Sequence, residues 1–284
     1  MSYEQFYQLR EQPFSNTPDP RFFFEVDQQA EVLARLMHAV NTMKGLAVVV
    51  GDVGTGKTTL ARRMLDQLDD DRYESAMLVI IHSAITAEWL LRKIASQIGV
   101  EDLAEEIASQ IGVEDLAEEK VEILSQIYQR LVELHQLGKK AVVLIDEANM
   151  LQQRSLMEEL RGFLNLEVPG SKLITFILFG LSNLEENLAL DTPLMQRVAV
   201  KCRLTSLKPE AVTAYIRHRL KIAGATREIF SEDVMAQIAA DSRGIPRLIN
   251  TIGDNVLLEG YLLKREKIDV ALVRDVVRDL GLGT

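Results

Sequence analysis

The sequence is poor in cysteine and has no long apolar run, and both absences restrict where the protein can work. Only one of its 284 residues is a cysteine, Cys202, so an internal disulfide is excluded. The longest apolar run, Leu173 to Leu181, has nine residues including Thr175, short of the ~18 that a membrane-spanning helix needs. Residues 1–20 lack the apolar core of a signal peptide. We therefore expect a cytoplasmic protein without membrane insertion.

Patterns typical of several other kinds of site are missing as well. The four histidines lack zinc-ligand spacing, and no G-x-S-x-G nucleophile motif occurs. The formal net charge is −10, which disfavours DNA as the main partner. Most of this charge lies in residues 101–122, which hold nine acidic residues and one lysine. The rest of the chain is close to neutral, so net charge says little about the partner.

Short apolar runs alternate with helical patterns in the first two thirds of the chain. A continuous apolar run is typical of a strand buried on both faces of a parallel sheet. We therefore predict an α/β fold with a three-layer, doubly wound parallel sheet. The predicted strands are 46–50, 77–81, 141–145 and 173–179, and the predicted helices are 28–43, 57–68, 86–98, 121–136 and 154–166.

After residue 207 the apolar runs stop and amphipathic patterns follow, which predicts a small all-helical lid domain. The chain is thus expected to comprise a lead-in segment, 1–27, a sheet core, 28–206, and the lid, 207–284. The predicted lid helices are 209–223, 231–241, 246–262 and 269–280.

A glycine-rich segment after the first predicted strand matches G-x-x-x-x-G-K-[ST] in full. Glycines let backbone amides wrap around phosphate oxygens, and the start of a helix favours negative charge. Lys57 is expected to reach the β- and γ-phosphates, and Thr58 to ligate Mg²⁺. We predict that ATP or ADP binds here with Mg²⁺. The residues of this P-loop are Gly51, Asp52, Val53, Gly54, Thr55, Gly56, Lys57, Thr58 and Thr59.

A second motif follows the apolar run 141–145, which ends in Asp146 and Glu147. In a chain with a P-loop, Asp146 is expected to hold the Mg²⁺ shell. Glu147 is expected to act as the general base on the attacking water. The alternative is an ordinary strand end in solvent.

Three further side chains are candidates for this site, and each has a structural alternative. Asn183 follows the fourth predicted strand and either orients the attacking water or belongs to a loop or a helix cap. Arg197, between that strand and the lid, either reaches a neighbouring subunit's γ-phosphate or is a surface residue. Arg247 opens a lid helix and either reaches back to the nucleotide or forms a salt bridge. The basic segment 217–221 fits a solvated helix face better than a nucleic-acid site.

One stretch of the sequence occurs twice in tandem. Residues 94–106 recur letter for letter as residues 107–119. Two copies of thirteen residues are too few and too short for a solenoid. We interpret the second copy as additional surface helix, because insertions at the surface are well tolerated.

Several segments spread over nearly the whole chain match one known family. In order, the motifs resemble an AAA+ ATPase, and more closely the ExeA/GspA family, which includes general-secretion protein A and the MshM-type pilus-biogenesis ATPases. The segments that carry this resemblance are 14–24, 51–59, 144–148, 157–161, 165–167, 215–220 and 244–250.

The resemblance implies ATP hydrolysis by a ring of identical subunits that supports assembly of a secretion or pilus machine. It implies that Arg197 is an arginine finger and Arg247 a lid sensor. The family usually carries a glutamine where this chain has Leu181, so Ser182 or Asn183 is expected to substitute. Two rival functions are a DNA-transaction regulator of the transposition type and a nucleotide-locked scaffold that hydrolyses little.

Overall fold

The computed structural model describes residues 2–17, 19–100 and 116–282, without the side chains of 116–119. The chain divides into two compact units. Each unit contains more than one stretch of the chain, so the units do not test the three-part division expected from the sequence, which stays a prediction. The sheet unit comprises Gln28–Asp52 and Leu60–Arg203, and the helical unit comprises Met1–Asp27, Val53–Thr59 and Leu204–Thr284.

A five-stranded sheet forms the centre of the sheet unit, with strand order β2-β3-β6-β1-β7. Strands β2, β3, β6 and β1 pair in parallel, as predicted for an α/β fold. Two short strands, β4 and β5, form a separate antiparallel hairpin. The strands are β1 (Leu46–Gly51), β2 (Tyr73–Val79), β3 (Lys140–Asp146), β4 (Glu167–Val168), β5 (Ser171–Lys172), β6 (Ile174–Gly180) and β7 (Val198–Leu204).

Helices connect the strands, and after β7 the described chain is helical apart from loops and turns. Short 3₁₀ turns lie at Pro20–Phe22 and Ala148–Met150. The helices are α1 (Tyr3–Tyr7), α2 (Asp27–Asn41), α3 (Lys57–Leu65), α4 (Ala87–Gln97), α5 (Leu116–Gln136), α6 (Arg154–Phe163), α7 (Leu184–Leu188), α8 (Thr192–Met195), α9 (Pro209–Ile222), α10 (Glu232–Ser242), α11 (Pro246–Leu262) and α12 (Val270–Asp279).

Two strand predictions need correction. The strand predicted at 77–81 runs instead from Tyr73 to Val79, in register with β3. Its first half contains the polar residues Glu74 and Ser75, so a search for continuous apolar runs misses it, while Ile81 is 81% exposed. The strand β7 was not predicted at all. It is an edge strand with exposed charged residues, which is how sheets protect their edges from pairing with other chains.

The core of the sheet unit explains why β1 is a continuous apolar run. Every residue of β1 is buried, as expected for a central strand covered on both faces. Helices α4, α5 and α6 pack their apolar faces into this core through buried residues such as Leu90, Ile127 and Leu160.

The helical unit has its own core, and the lead-in segment is part of it. Tyr7, Phe14 and Phe22 are buried together with the apolar residues of α9 to α12. Gly260 of α11 leaves room for this segment, because a Cβ there would lie 2.3 Å from the Tyr7 hydroxyl oxygen. These three aromatic residues of the lead-in segment therefore stabilise the helical unit.

Within the described residues, none of the helices combines the length and the apolar character needed to cross a bilayer.

Candidate nucleotide-binding site

The P-loop connects the end of β1 to the start of α3, as predicted. Gly54 and Gly56 adopt left-handed φ angles of +79° and +97°, which residues with a side chain avoid. Lys57 is the first residue of α3 and is only 7% exposed. The loop thus has the two features of a phosphate cradle, a glycine-dependent backbone and a helix N-terminus.

Within the helical unit, the P-loop glycine Gly54 contacts the start of α11. The backbone amide of Arg247 donates to the Gly54 carbonyl (3.3 Å). A Cβ on Gly54 would lie 2.8 Å from the Cβ of Arg247 and 3.0 Å from Cγ2 of Ile245. The structure therefore brings together Gly54 and Arg247, which were both predicted from the sequence to lie at the nucleotide site. The Arg247 side chain is exposed.

A close backbone contact fixes the turn that precedes α11. Gly244 adopts φ +72°, and a Cβ on it would lie 2.0 Å from the Leu207 carbonyl oxygen. The Leu207 amide donates to the Gly244 carbonyl (2.8 Å). Only glycine fits here, so the turn that presents Arg247 has little freedom.

The carboxyl ends of β1, β3 and β6 lie at one edge of the sheet. Val50 is in register with Gly180, and Ile145 with Leu178. This edge is the usual place for ligands in open α/β sheets. Parallel pairing therefore brings Gly51 and Asp52, Asp146 and Glu147, and Leu181 to Asn183 to the same edge.

The two acids that follow β3 differ in environment. Asp146 is 2% exposed, whereas Glu147 is half-buried and adopts a left-handed φ of +53°. The Glu147 amide donates to Oδ1 of Asp146 (3.0 Å). A non-glycine residue in this conformation is uncommon, and such residues cluster at functional sites.

The residues expected to replace the family's glutamine take different positions. The Ser182 hydroxyl accepts a hydrogen bond from Nη1 of Arg203 (3.1 Å). Asn183 directly precedes α7, is exposed, and does not cap that helix with its side chain. The Leu181 amide donates to Oδ1 of Asn149 (3.0 Å). Asn149 was not predicted as a site residue, because its only signal in the sequence is its position two residues after Glu147.

Arg197 lies at the opposite edge of the sheet from Glu147. Its Nη1 donates to the carbonyl oxygen of Arg161 (3.3 Å) in the last turn of α6. Leu164, just after α6, lies 3.2 Å from the position of a Cβ on Gly45, which directly precedes β1. The end of α6 is therefore at the edge where the strands begin. Six strand residues span roughly 20 Å, so the Arg197 side chain cannot reach Glu147 of its own chain.

Arg197 lies between β6 and the helical C-terminal region, but an additional strand that was not predicted, β7, directly follows it. The short helix α8 that leads to Arg197 is firmly held. Asp191 caps α8 by accepting from the Leu194 amide (2.9 Å), and it also accepts from Nε of Arg161 (3.0 Å). Burial raises the pKa of the Asp191 carboxyl, but these two donors outweigh burial and hold it below its ordinary value.

The basic segment 217–221 is not a solvated face throughout. Arg219 is buried and donates to the carbonyl oxygens of Pro13 and Ser15. Arg217 forms an ion pair with Glu232. The interpretation as a solvated face is wrong for Arg219, because its guanidinium anchors the lead-in segment.

The tandem copy lies largely outside the described residues. In the first copy, Ile94, Ala95 and Ile98 are buried against the core of the sheet unit. The interpretation of residues 107–119 as additional surface helix stays a prediction.

Comparison with solved structures finds proteins with a similar fold. The Aeropyrum pernix ORC2 protein, solved as ADPNP–ADP complexes, is 17% identical with a TM-score of 0.67, over 94% of this chain and 71% of that one. The Aeropyrum pernix ORC1 protein, solved in complex with DNA, is 16% identical with a TM-score of 0.63, over 93% of this chain and 68% of that one. At this identity the similarity shows the fold alone.

Sequence comparison identifies the family. General secretion pathway protein A of Aeromonas hydrophila is 33% identical over 268 residues, which are 94% of this chain and 46% of that protein. The chain thus spans about half the length of this relative, and the predicted resemblance is confirmed. A family model described as an AAA domain matches residues 40–188. Because that match covers more than half of the 284 residues, the chain belongs to the AAA domain family.

Proposed function

We propose that this chain binds ATP at the P-loop and hydrolyses it to ADP and phosphate. The observation that carries the proposal is the loop between β1 and α3. Its left-handed glycines, Gly54 and Gly56, leave the backbone free to turn amides toward one centre, and Lys57 begins the helix that follows. In this proposal the loop from Gly51 to Thr59 holds the phosphates, and Lys57 contacts the β- and γ-phosphates.

The donor set fits Mg²⁺ as the accompanying ion. Mg²⁺ prefers oxygen ligands and is usually held by one or two carboxylates together with substrate phosphates. The Thr58 hydroxyl and the Asp146 carboxylate supply such oxygens. The described residues contain no group of three or more acidic, histidine or cysteine side chains arranged for a metal, which agrees with an ion that depends on the nucleotide. When bound, Mg²⁺ would neutralise charge on the phosphates.

Glu147 is the proposed general base. Its carboxylate takes a proton from a water molecule whose oxygen attacks the γ-phosphorus, and the bond from that phosphorus to the bridging oxygen of ADP breaks. Its left-handed conformation at the end of β3 supports a specialised role. We keep Asn183 as the proposed water-orienting side chain and Arg247 as the proposed lid contact to the phosphates.

We further propose that the active form is a homo-oligomer, with a ring as the expected arrangement. Arg197 lies at the sheet edge opposite Glu147, so it can act on a nucleotide only if that nucleotide is bound to another subunit. A cation supplied in this way stabilises the charge that develops on the transferred phosphoryl group.

The partner machine is proposed from the relative. General secretion pathway protein A of Aeromonas hydrophila is named for secretion, and we propose that this chain supports assembly of a secretion or type IV pilus-like machine from the cytoplasm. Because the chain spans only 46% of that protein, partners that recognise the other half of the relative are outside this proposal.

A second function, DNA-dependent regulation, is favoured by the fold shared with an ORC1 protein solved with DNA. It is disfavoured by the burial of Arg219, which removes one cation from the basic segment 217–221. ATP turnover measured with and without duplex DNA separates the two. Turnover independent of DNA supports the first function, strong stimulation supports the second, and no turnover in either condition supports a nucleotide-locked scaffold.

A further inference from the structure

Asn149 is a buried polar residue in the turn that follows Glu147. It is 3% exposed and lies at the centre of the 3₁₀ turn Ala148–Met150. Its Oδ1 accepts from the Leu181 amide (3.0 Å), and its carbonyl accepts from Nδ2 of Asn187 (2.8 Å). Both partners lie beyond the end of β6, so Asn149 connects the turn after β3 to the segment after β6.

Gly180, the last residue of β6, allows this connection. A Cβ on Gly180 would lie 3.0 Å from the Asn149 amide nitrogen and 3.1 Å from its Oδ1. The φ angle of Gly180 does not require glycine, since it lies outside the left-handed range. The absence of a side chain is therefore explained by the close approach of Asn149 together with Leu184, whose Cδ2 would lie 2.9 Å from the Cβ.

The same turn holds Glu147 in a conformation that it would not otherwise favour. Glu147 has φ +53°, in the left-handed region that non-glycine residues avoid. Its amide donates to Asp146, and its carbonyl accepts from the Met150 amide (2.9 Å). Those bonds are local, whereas the Asn149 side chain supplies a link to a different strand.

We propose that Asn149 is a positioning residue, which holds Glu147 in its working geometry by anchoring the turn to the Leu181 amide. The family's glutamine is replaced by an apolar residue at position 181, and the backbone there is fixed through Asn149 instead. This inference rests on the proposed function, because it assumes that Glu147 is the general base.

The test compares Asn149→Ala with Asn149→Asp, which keeps an acceptor oxygen at the same place. Tyr73→Phe is the matched control, because it removes a hydrogen bond that is likewise partly buried, from the Tyr73 hydroxyl to Oδ1 of Asn41 (2.5 Å), near the start of β2. We expect Asn149→Ala to bind ATP within about threefold of the parent but to lower kcat roughly 10- to 100-fold, a usual scale for a misplaced catalytic group. Asn149→Asp should recover most of kcat, and Tyr73→Phe should leave it unchanged.

Hydrogen exchange at the Leu181 amide gives a second readout that needs no hydrolysis. Loss of one hydrogen bond should accelerate exchange there by up to about tenfold in Asn149→Ala, and Asn149→Asp should restore protection. Unchanged exchange at Leu181, or an unchanged kcat with exchange accelerated, overturns the positioning role and leaves the ATPase proposal intact. Absence of turnover in the parent would instead refute the ATPase proposal. If Asn149→Ala does not fold, the smaller change Asn149→Ser serves the same comparison, with the same expected loss of kcat.

Discussion

The amide of Arg247 donates to the carbonyl of Gly54 across 3.3 Å, so the start of the helix α11 is bonded to the P-loop itself. The contact uses backbone atoms on both sides, and it is close because Gly54 has no side chain. A nucleotide that changes the conformation of the P-loop would therefore also shift the start of α11. The Arg247 side chain projects from that part of the helix.

This contact predicts that Gly54→Ala weakens ATP binding. The substitution places a methyl group 2.8 Å from the Cβ of Arg247 and imposes a left-handed φ on alanine. Gly138→Ala is the matched control, since Gly138 has φ +75° and no atom within 4 Å of the added Cβ. We expect the control to lower the free energy of unfolding by about 1 kcal/mol and to leave ATP affinity unchanged.

Gly54→Ala should cost more stability than the control and raise the Kd for ATP at least ~10-fold, equivalent to ~1.4 kcal/mol. Calorimetric titration with ATP and thermal unfolding measure the two effects. Equal ATP affinity in the parent and both variants would show that the close approach to Arg247 has no bearing on the nucleotide.

Glu147→Gln should separate binding from hydrolysis. Glutamine keeps the size of the side chain but cannot accept the proton from the attacking water, so turnover should fall at least ~100-fold while ATP binding persists. Glu186→Gln is a suitable control, because Glu186 is an exposed acid in α7 of the same unit. Steady-state phosphate release measures the difference, and parental turnover in Glu147→Gln would remove this residue from the mechanism.

Arg197→Ala should leave ATP binding nearly normal and abolish most turnover, because the cation completes a site on another subunit. Arginines acting in this way contribute roughly 10³ to 10⁵ in rate. Arg154→Ala, which alters an exposed arginine paired with Glu158, should keep parental turnover. Activity per subunit should also rise with protein concentration.

Mixing Arg197→Ala with Lys57→Ala subunits tests the shared site directly. Arg197→Ala subunits keep Lys57 but lack the arginine for a neighbouring site, whereas Lys57→Ala subunits keep Arg197 but lack the lysine of their own site. Where the two variants meet, the Lys57 of one subunit and the Arg197 of the other form one complete site, so part of the hydrolysis should return. If turnover is independent of concentration and mixing restores nothing, Arg197 acts only within its own chain, through its hydrogen bond to the Arg161 carbonyl.

Deleting residues 107–119 should leave a folded protein. The two copies are identical, so every junction in the shortened chain already exists in the parent. The deletion takes the net charge from −10 to −6 and should change the free energy of unfolding by about 1 kcal/mol or less, as for a surface insertion. Replacing 107–119 with a glycine-serine linker of equal length is the control for chain length. Loss of soluble protein on deletion would show that the second copy belongs to the core.

The sequence predicts an element well where its local residue pattern directly reflects its place in the folded protein. The run before Gly51 is fully apolar because β1 is central and buried on both faces. The glycines that follow are required by the local backbone geometry, so the loop can be predicted from them without knowledge of distant residues. The edge strand β7 was missed because it is not a long continuous apolar run and carries the exposed charged residues Lys201 and Arg203.

The features that could not be predicted from the sequence depend on contacts between residues far apart in the chain. The role of Asn149 depends on Leu181, 32 positions away, and the burial of Arg219 depends on Pro13, 206 positions away. Neither pairing leaves a trace in local sequence. The placement of Arg197 required the end of α6 to be located against the start of β1, which only the folded chain provides.

The most direct test is titration of the parent chain and of Lys57→Ala with ATP in the presence of Mg²⁺, followed by measurement of phosphate release from the same samples. Lys57→Arg retains the positive charge and serves as the conservative comparison. We expect the parent to bind one ATP per chain and to release phosphate, and Lys57→Ala to lose ATP binding, turnover or both. Binding and turnover at the parental level in Lys57→Ala would contradict the assignment of the loop between β1 and α3 as the ATP site.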